Sequence, residues 1–363
     1  MSTPPMIRTP LTELTGVDHP IVQTGMGWVA GARLVSATAN AGALGILASA
    51  TMSIEELERA ILEVHSRTDR PFGVNLRADA EDAPRRAELL IRHGVKVASF
   101  ALAPKRELIE RLKDAGLVVI PSIGAVRHAQ KVAEWGADAV MVQGAEGGGH
   151  TGGVPTAILV PSVVSAVDIP VIAGGGFYDG RGLAAALAFG AVGIGMGTRF
   201  LLTSDSAVPE AIKRRYLEFG LDGTVVTTKA DGMPHRLLRT EFVESLEHST
   251  LLSRLVGTAK RSFEFKRQSG MSWPQLLRDA VSMKRMSGRS WYQVMLAANT
   301  PTLLRAGLVE GDTHAGMLAA GQVVGVIDDL PSCEALVDRI VREAAGRIKA
   351  TAGTLVGEVR AAR

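Results

Sequence analysis

The chain has 363 residues with 46% apolar and 21% charged side chains, which excludes a disordered chain. Forty glycines and sixteen prolines fall in no fixed repeat, which excludes a fibre, and the single Cys333 excludes an internal disulfide framework or a cysteine-based zinc site. Net charge is +3, no apolar run reaches the length of a membrane span, and Met1–Pro10 carries no secretory pattern. A soluble, cytoplasmic, non-membrane protein is expected.

From residue 20 to residue 200, short apolar or β-branched runs alternate with amphipathic segments. Strands are expected at Ile21–Thr24, Gly45–Ala48, Phe72–Leu76, Val97–Ala101, Val118–Pro121, Ala139–Val142, Pro170–Ala173 and Gly193–Met196. Between them, Ser53–Thr68 repeats Ile54, Leu57, Ile61 and Val64 at helical spacing, and Ser53 with Glu56 forms a capping box. Helices are expected likewise at Ala83–His93, Lys105–Ala115, Val126–Trp135, Pro161–Val167 and Gly180–Phe189, several closed by glycine, as at Gly116, Gly136 and Gly190.

Eight β-α steps predict an α/β fold, a TIM (β/α)8 barrel, over an open doubly wound sheet. Three regions are expected: a barrel over 1–204, a mostly helical smaller domain or substrate lid over 205–310, and a return to the barrel over 311–363. Within the second, Glu210–Phe219, Gln275–Met286 and Trp291–Ala298 look helical.

A barrel places its chemistry at the C-terminal strand ends. Those ends are rich in glycine: Gly25-Met26-Gly27, Gly144 through Gly153, Gly174-Gly175-Gly176 and Gly195-Met196-Gly197. Without a Cβ, main-chain N–H groups can approach a ligand closely. The turns after the seventh and eighth strands are where barrels often hold phosphate, and the helix Gly180–Phe189 is placed to add its N-terminal dipole. A dinucleotide fingerprint fails on the spacing of Gly193, Gly195 and Gly197, and no Walker-type loop is present.

Of eight histidines, His65, His93 and His128 fall near helix ends, His19 precedes Pro20, and His235, His248 and His314 receive no role. His150 differs, because it follows three glycines at the mouth of the sixth strand. An imidazole there can take a proton at neutral pH. Glu146 either orients it or caps the loop. The other outlier is 251–290, with nine basic side chains against Glu264 and Asp279, which suggests an anionic partner. Nucleic acid is not favoured, since no recognition module or stacking pattern accompanies the charge.

Gln23–Trp28, Pro71–Leu76, Glu146–His150, Ala173–Gly182, Met196–Thr203 and Gly311–Asp329 together resemble the nitronate monooxygenase (2-nitropropane dioxygenase-like) flavoproteins. The resemblance implies an FMN-dependent oxidoreductase on a barrel. It places Gly25, Met26 and Gly27 by the flavin ring with Asn75 and Gln143 nearby, and Gly148 and Gly149 along the flavin. It assigns Gly174, Gly175, Gly176, Met196, Gly197 and Thr198 to the phosphate, and His150 to catalysis.

Gly25–Ala50, Val97–Lys105, Thr198–Thr228 and Asp231–Arg236 are similar to a branch of the family that acts in steroid degradation on a ring carboxyl-CoA thioester. The activity that likeness implies is α,β-dehydrogenation, with His150 removing the α-proton and the β-hydride passing to flavin N5. Lys284, Arg285 and Arg289 are then candidates for the CoA phosphates. Trp273, Trp291, Met271, Met283, Met286 and Met295 either wall a pocket for fused rings or form a helical core. Nitronate oxidation by O2 and NAD(P)H-dependent quinone or enoyl reduction are the alternatives on the same scaffold. A homo-oligomer is left open.

Overall fold

The computed structural model describes residues 6–101, 104–230, 232–248, 300–312, 314 and 316–355. Nine strands precede residue 200: β1 Ile21–Gln23, β2 Leu44–Ala48, β3 Phe72–Arg77, β4 Val97–Ala101, β5 Val118–Ile123, β6 Val140–Gln143, β7 Gly149–His150, β8 Val171–Gly174 and β9 Gly193–Met196. All except β7 form one closed parallel barrel in the order β1-β2-β3-β4-β5-β6-β8-β9. Closure is made by β9 on β1, where Ile21, Val22 and Gln23 pair with Ile194, Gly195 and Met196. An open doubly wound sheet is excluded by that pairing.

Parallel strands covered on both faces read as continuous apolar runs, and β2, Leu-Gly-Ile-Leu-Ala, is buried throughout. Val22, Leu44, Ile46, Val97, Ile120, Met141 and Ile172 belong to one buried cluster, with Leu11 and Val17 beside them. Other strand residues pack outward on the helices, as Leu47, Val74 and Ala98 do with Leu57, Ile61 and Val64. Those three lie on one stripe of the helix Ile54–Arg67. Its N-cap Ser53 accepts from the Glu56 amide at 3.1 Å while the Glu56 carboxylate accepts from the Ser53 amide at 2.7 Å. Gly116, Gly136 and Gly190 follow their helices at φ of 85°, 91° and 86°, the left-handed cap that glycine serves at least cost.

Two expectations shift. The helix placed at Pro161–Val167 is instead Thr156–Val164, with Pro161 inside it. Its start is set by a carboxylate ten residues earlier, which no local pattern reveals. The region after β9 is also more than helical: β10 Thr224–Thr227 and β11 His235–Leu238 form an antiparallel hairpin, and β11 pairs with β7. Helices Glu210–Tyr216, Glu241–His248 and Thr300–Leu308 accompany it. Gln275–Met286, Trp291–Ala298, the whole basic segment 251–290 and the aromatic and methionine candidates there lie outside the described residues.

The chain returns through a 3-10 turn, Gln322–Val326, and ends in the long helix Cys333–Ala352. That helix lies against Gly180–Ala188 so closely that a Cβ on Gly180 would sit 2.4 Å from the Ile340 carbonyl oxygen. Arg199, buried in the barrel wall, clamps the return: its guanidinium donates to the Asp329 carboxylate at 2.8 Å and to the Leu202 carbonyl at 2.5 Å. No helix among the described residues is long and apolar enough to cross a membrane.

Candidate active site

The C-terminal strand ends surround a cavity of about 360 Å³. Gly25, Met26, Gly27, Asn75, Gln143, Gly148, Gly149, Gly174, Gly175, Gly176, Met196, Gly197 and Thr198 all line it, together with His150. Those thirteen residues, from the ends of five barrel strands, thus meet at one place. Lys284, Arg285 and Arg289 lie outside the described residues.

One wall is polar and rigid. Asn75, at the end of β3, donates to Ser99 Oγ at 3.3 Å, and its carbonyl accepts from Ser49 Oγ at 2.6 Å. The turn after β1 passes over it so tightly that a Cβ at Gly25 would lie 2.6 Å from the Asn75 Cβ. Across the cavity, Gln143 holds the glycine loop: its Nε2 donates to the His150 carbonyl at 2.8 Å. Gly148 rests on the returning chain, where a Cβ would be 2.5 Å from the Gly321 amide nitrogen.

The ends of β8 and β9 provide donors. Gly175 and Gly176 stand at φ of 87° and 85°, in the left-handed region. Among the described residues, the amides of Gly176 and Gly197 donate to no main-chain acceptor in the turns and loops. Thr198 Oγ1 accepts from the Gly321 amide at 2.8 Å, which leaves its own O–H proton to donate. Main-chain N–H groups without partners at a closed strand rim are costly unless an acceptor supplies them. No lysine or arginine is among the described residues lining the cavity, so an anion there is met by neutral amides and a hydroxyl. The set fits a planar group carrying one phosphate.

The dipole expected from Gly180–Phe189 is not available. Asp179 accepts from the Gly182 amide at 3.0 Å and Glu343 from the Gly180 amide at 2.9 Å, so two carboxylates already cap that helix. Glu146 is likewise committed. Its carboxylate accepts from the Thr156 amide at 2.9 Å and from Thr156 Oγ1 at 2.7 Å, capping the helix Thr156–Val164. Of the two roles open to Glu146, the structure gives it the cap.

His150 is exposed at the rim on β7, and its cross-strand partner is His235. The two rings lie 4.6 Å apart between centroids and are tilted by 44°. The hairpin bearing His235 is stapled to the glycine loop: Arg236 donates to the Ala145 carbonyl at 2.9 Å, and the Thr151 amide to the Pro234 carbonyl at 3.1 Å. Burial pulls the Arg236 guanidinium below its usual range, with Glu146 opposing. Among the described residues no group of three or more His, Cys, Asp or Glu is arranged for a metal.

Several lining residues were not singled out from sequence: Ser99, Ser122, His235, and Thr300, Leu304 and Leu308 on one helical stripe. The run Thr-Val-Val-Thr at 224–227 carries a strand signal that would have flagged the hairpin and, through it, His235. The i, i+4, i+8 spacing of Thr300, Leu304 and Leu308 marks a helix face but says nothing about what it covers.

Comparison with known proteins agrees with the barrel fold. The nitronate monooxygenase family model matches residues 8–343. A Mycobacterium tuberculosis protein named (3aS,4S,5R,7aS)-5-hydroxy-7a-methyl-1-oxo-octahydro-1H-indene-4-carboxyl-CoA dehydrogenase is 64% identical over 96% of this chain and 99% of that protein. A Rhodococcus jostii protein of the same name is 65% identical over 95% of this chain and 98% of its own length. Among solved structures, FabK from Thermotoga maritima superposes with a TM-score of 0.78 at 33% identity, covering 96% of this chain and all of that one.

Proposed function

The chain belongs to the nitronate monooxygenase family, a family of flavin-dependent oxidoreductases, and from that premise we propose that it is an FMN-dependent dehydrogenase of a steroid-derived ring carboxyl-CoA thioester. Near-full-length identity of 64–65% to two proteins named for that substrate supports the choice of substrate class. FMN, rather than a dinucleotide, is supported by the amides of Gly176 and Gly197 at the ends of β8 and β9, which among the described residues donate to no main-chain acceptor in the turns and loops.

The observation that carries the chemical reading is the position of His150. It is exposed and lines the same cavity as Gly175, Gly176, Gly197 and Thr198. Flavin supplies, when bound, an acceptor for the two electrons removed from substrate. This chain's part is to bind and to move a proton. Gly174 through Gly176, with Gly197 and Thr198, hold the phosphate, while Asn75, Gln143 and the Gly25–Gly27 turn border the ring. Gln143, by gripping the His150 carbonyl, fixes where the imidazole enters the cavity. A thioester acidifies the hydrogen on its α-carbon, and an imidazole nitrogen of His150 takes that proton as the hydrogen on the β-carbon leaves with both electrons. A ring double bond results, and His150 later returns its proton to solvent from the exposed rim. Leu304 and Leu308 offer an apolar wall for a fused ring system.

Product analysis tests this reading. With an artificial electron acceptor and the ring thioester, the expected product is lighter by two hydrogens. An unchanged mass, or turnover only of alkyl nitronates with O2, overturns it. Neutralising Lys284, Arg285 and Arg289 together should weaken a CoA ester far more than its free acid. Equal weakening rejects those residues as the CoA contact.

A further inference from the structure

We propose that Trp28 is a positioning residue that sets substrate selectivity: its indole latches the N-terminal end of the helix Thr300–Leu308 and so fixes the apolar wall on which a fused ring is seated. The proposal rests on the reading of the substrate as a ring carboxyl-CoA thioester. It starts from a strained backbone. Trp28 stands at φ of 65°, the one non-glycine residue in the left-handed region among the described residues. A bulky side chain holds that conformation only where its surroundings impose it, and such positions gather at functional sites. The turn itself is closed by main chain, since the amides of Val29 and Ala30 both donate to the Met26 carbonyl, at 3.1 and 2.9 Å. Glycine would hold the same turn with less strain. The indole therefore has a use that the turn alone does not require.

That use lies 273 residues away in the chain. Trp28 Nε1 donates to the Pro301 carbonyl at 3.0 Å, in the first turn of the helix Thr300–Leu308. One turn further on, the Arg305 guanidinium stands 5.6 Å from the centroid of the same ring, within reach of a cation–π attraction. The rest of the helix is attached elsewhere. The Met317 amide donates to the Leu303 carbonyl at 2.8 Å, and a Cβ on Gly307 would lie 2.5 Å from the Met317 carbonyl oxygen. From this helix Thr300, Leu304 and Leu308 line the cavity, and from the turn that carries Trp28 so do Gly25, Met26 and Gly27. Trp28 is not among the lining residues, so it acts through the two elements that are. Their separation is the width of the cavity on that side, and the indole spans it. A helix moves as a rod, so releasing the Trp28 end lets it tilt about Met317, displacing Thr300 and turning Leu304 away from a seated ring. A wall moved back by even a fraction of an ångström forfeits contacts with what it faces.

The test compares Trp28→Phe, which keeps a ring and loses the N–H, with Trp28→Gly, which loses both and leaves the turn free to keep its shape. In both, KM for the ring thioester should rise about tenfold, the lower end of what a mis-sized apolar pocket costs, with kcat little changed. Flavin affinity, and the inhibition constant of coenzyme A, which carries no ring, should stay as in the wild type. Leu304→Ala should raise the same KM, and adding Trp28→Phe to it should change little more, because the latch acts through that wall. In the wild type, the assigned indole N–H of Trp28 should exchange with solvent slowly by NMR. A KM unmoved in both variants, equal weakening of coenzyme A and the thioester, or fully additive effects of Trp28→Phe and Leu304→Ala overturns the proposal. If neither variant folds, the wild-type indole decides: slow exchange sustains the latch and exchange at the free rate overturns it. No oxidation of the ring thioester by the wild type refutes the substrate reading and the proposal with it, whereas oxidation with an unmoved KM refutes the role of Trp28 alone.

Discussion

Three glycine-to-alanine substitutions in the site loops separate the two reasons a glycine is needed. At Gly175 both reasons apply: φ is 87°, and a Cβ would lie 3.0 Å from the Gly144 carbonyl oxygen and 3.1 Å from the Gly147 amide nitrogen, both main-chain atoms that cannot swing away. The left-handed conformation costs an alanine about 1–2 kcal/mol. Forcing backbone apart in a packed region adds about 1–3 kcal/mol, and the stiffer unfolded chain returns about 0.4–1 kcal/mol. The net penalty is about 1–5 kcal/mol, falling on a loop that lines the cavity. If flavin binding demands the native loop, affinity drops by about 10²-fold at the middle of that range, since about 1.4 kcal/mol is tenfold. Gly149, at φ of 72° with no atom within 4 Å of its Cβ position, has only the conformational reason. Its alanine variant should lose about tenfold or less. Gly153 has neither a positive φ nor a neighbour, and Gly153→Ala should bind as the wild type does. Fluorescence titration of flavin into the three apoproteins, with Tm measured alongside, gives the order. A Gly175→Ala protein with wild-type flavin affinity, or a Gly153→Ala protein weaker than Gly175→Ala, refutes the reasoning.

His150→Ala should retain flavin affinity and lose about 10² to 10⁴ in kcat, read by titration and by turnover of the same sample. Glu146→Gln should lower stability by about 0.5–2 kcal/mol through a weakened cap on Thr156–Val164 while leaving the pH profile of kcat in place; a shifted profile would return Glu146 to a role in orienting His150. Asp329 accepts from Arg339 and Arg199, and the hydrogen bond from Arg339 above all holds its carboxyl below the ordinary value of 3.8. Because the folded value is the lower one, this stabilisation is complete above the unfolded value and is lost as pH falls through the folded value. Tm against pH should therefore fall less steeply below about pH 4 in Asp329→Asn than in the wild type, and identical slopes would show that the pair carries no linkage.

What could be read from the chain follows from which interactions are local. The eight barrel strands were legible because each is a short apolar run whose inward and outward faces are both covered, and because glycine caps punctuate the helices between them. The glycine-rich strand ends were legible because three successive glycines before His150 break the apolar run of the sixth strand, although Gly149 itself joins the short strand β7. Features made by distant partners were not legible. Glu146 reaches forward ten residues to cap Thr156, Glu343 reaches back to Gly180, and His235 meets His150 only after the chain has left the barrel and returned. The helix dipole predicted for the phosphate failed on such a contact, since nothing near Gly180 in sequence announces Glu343. Thr300, Leu304 and Leu308 show the same limit, because helical spacing identifies a face without identifying what it covers.

The most direct measurement is anaerobic mixing of the flavin-loaded protein with the ring carboxyl-CoA thioester, followed by the visible absorbance of the flavin. The account predicts that the yellow band bleaches in the absence of O2 and NAD(P)H, and that it persists when His150→Ala is mixed in the same way. A band that is untouched by the thioester and bleaches only with NAD(P)H or with an alkyl nitronate would contradict it.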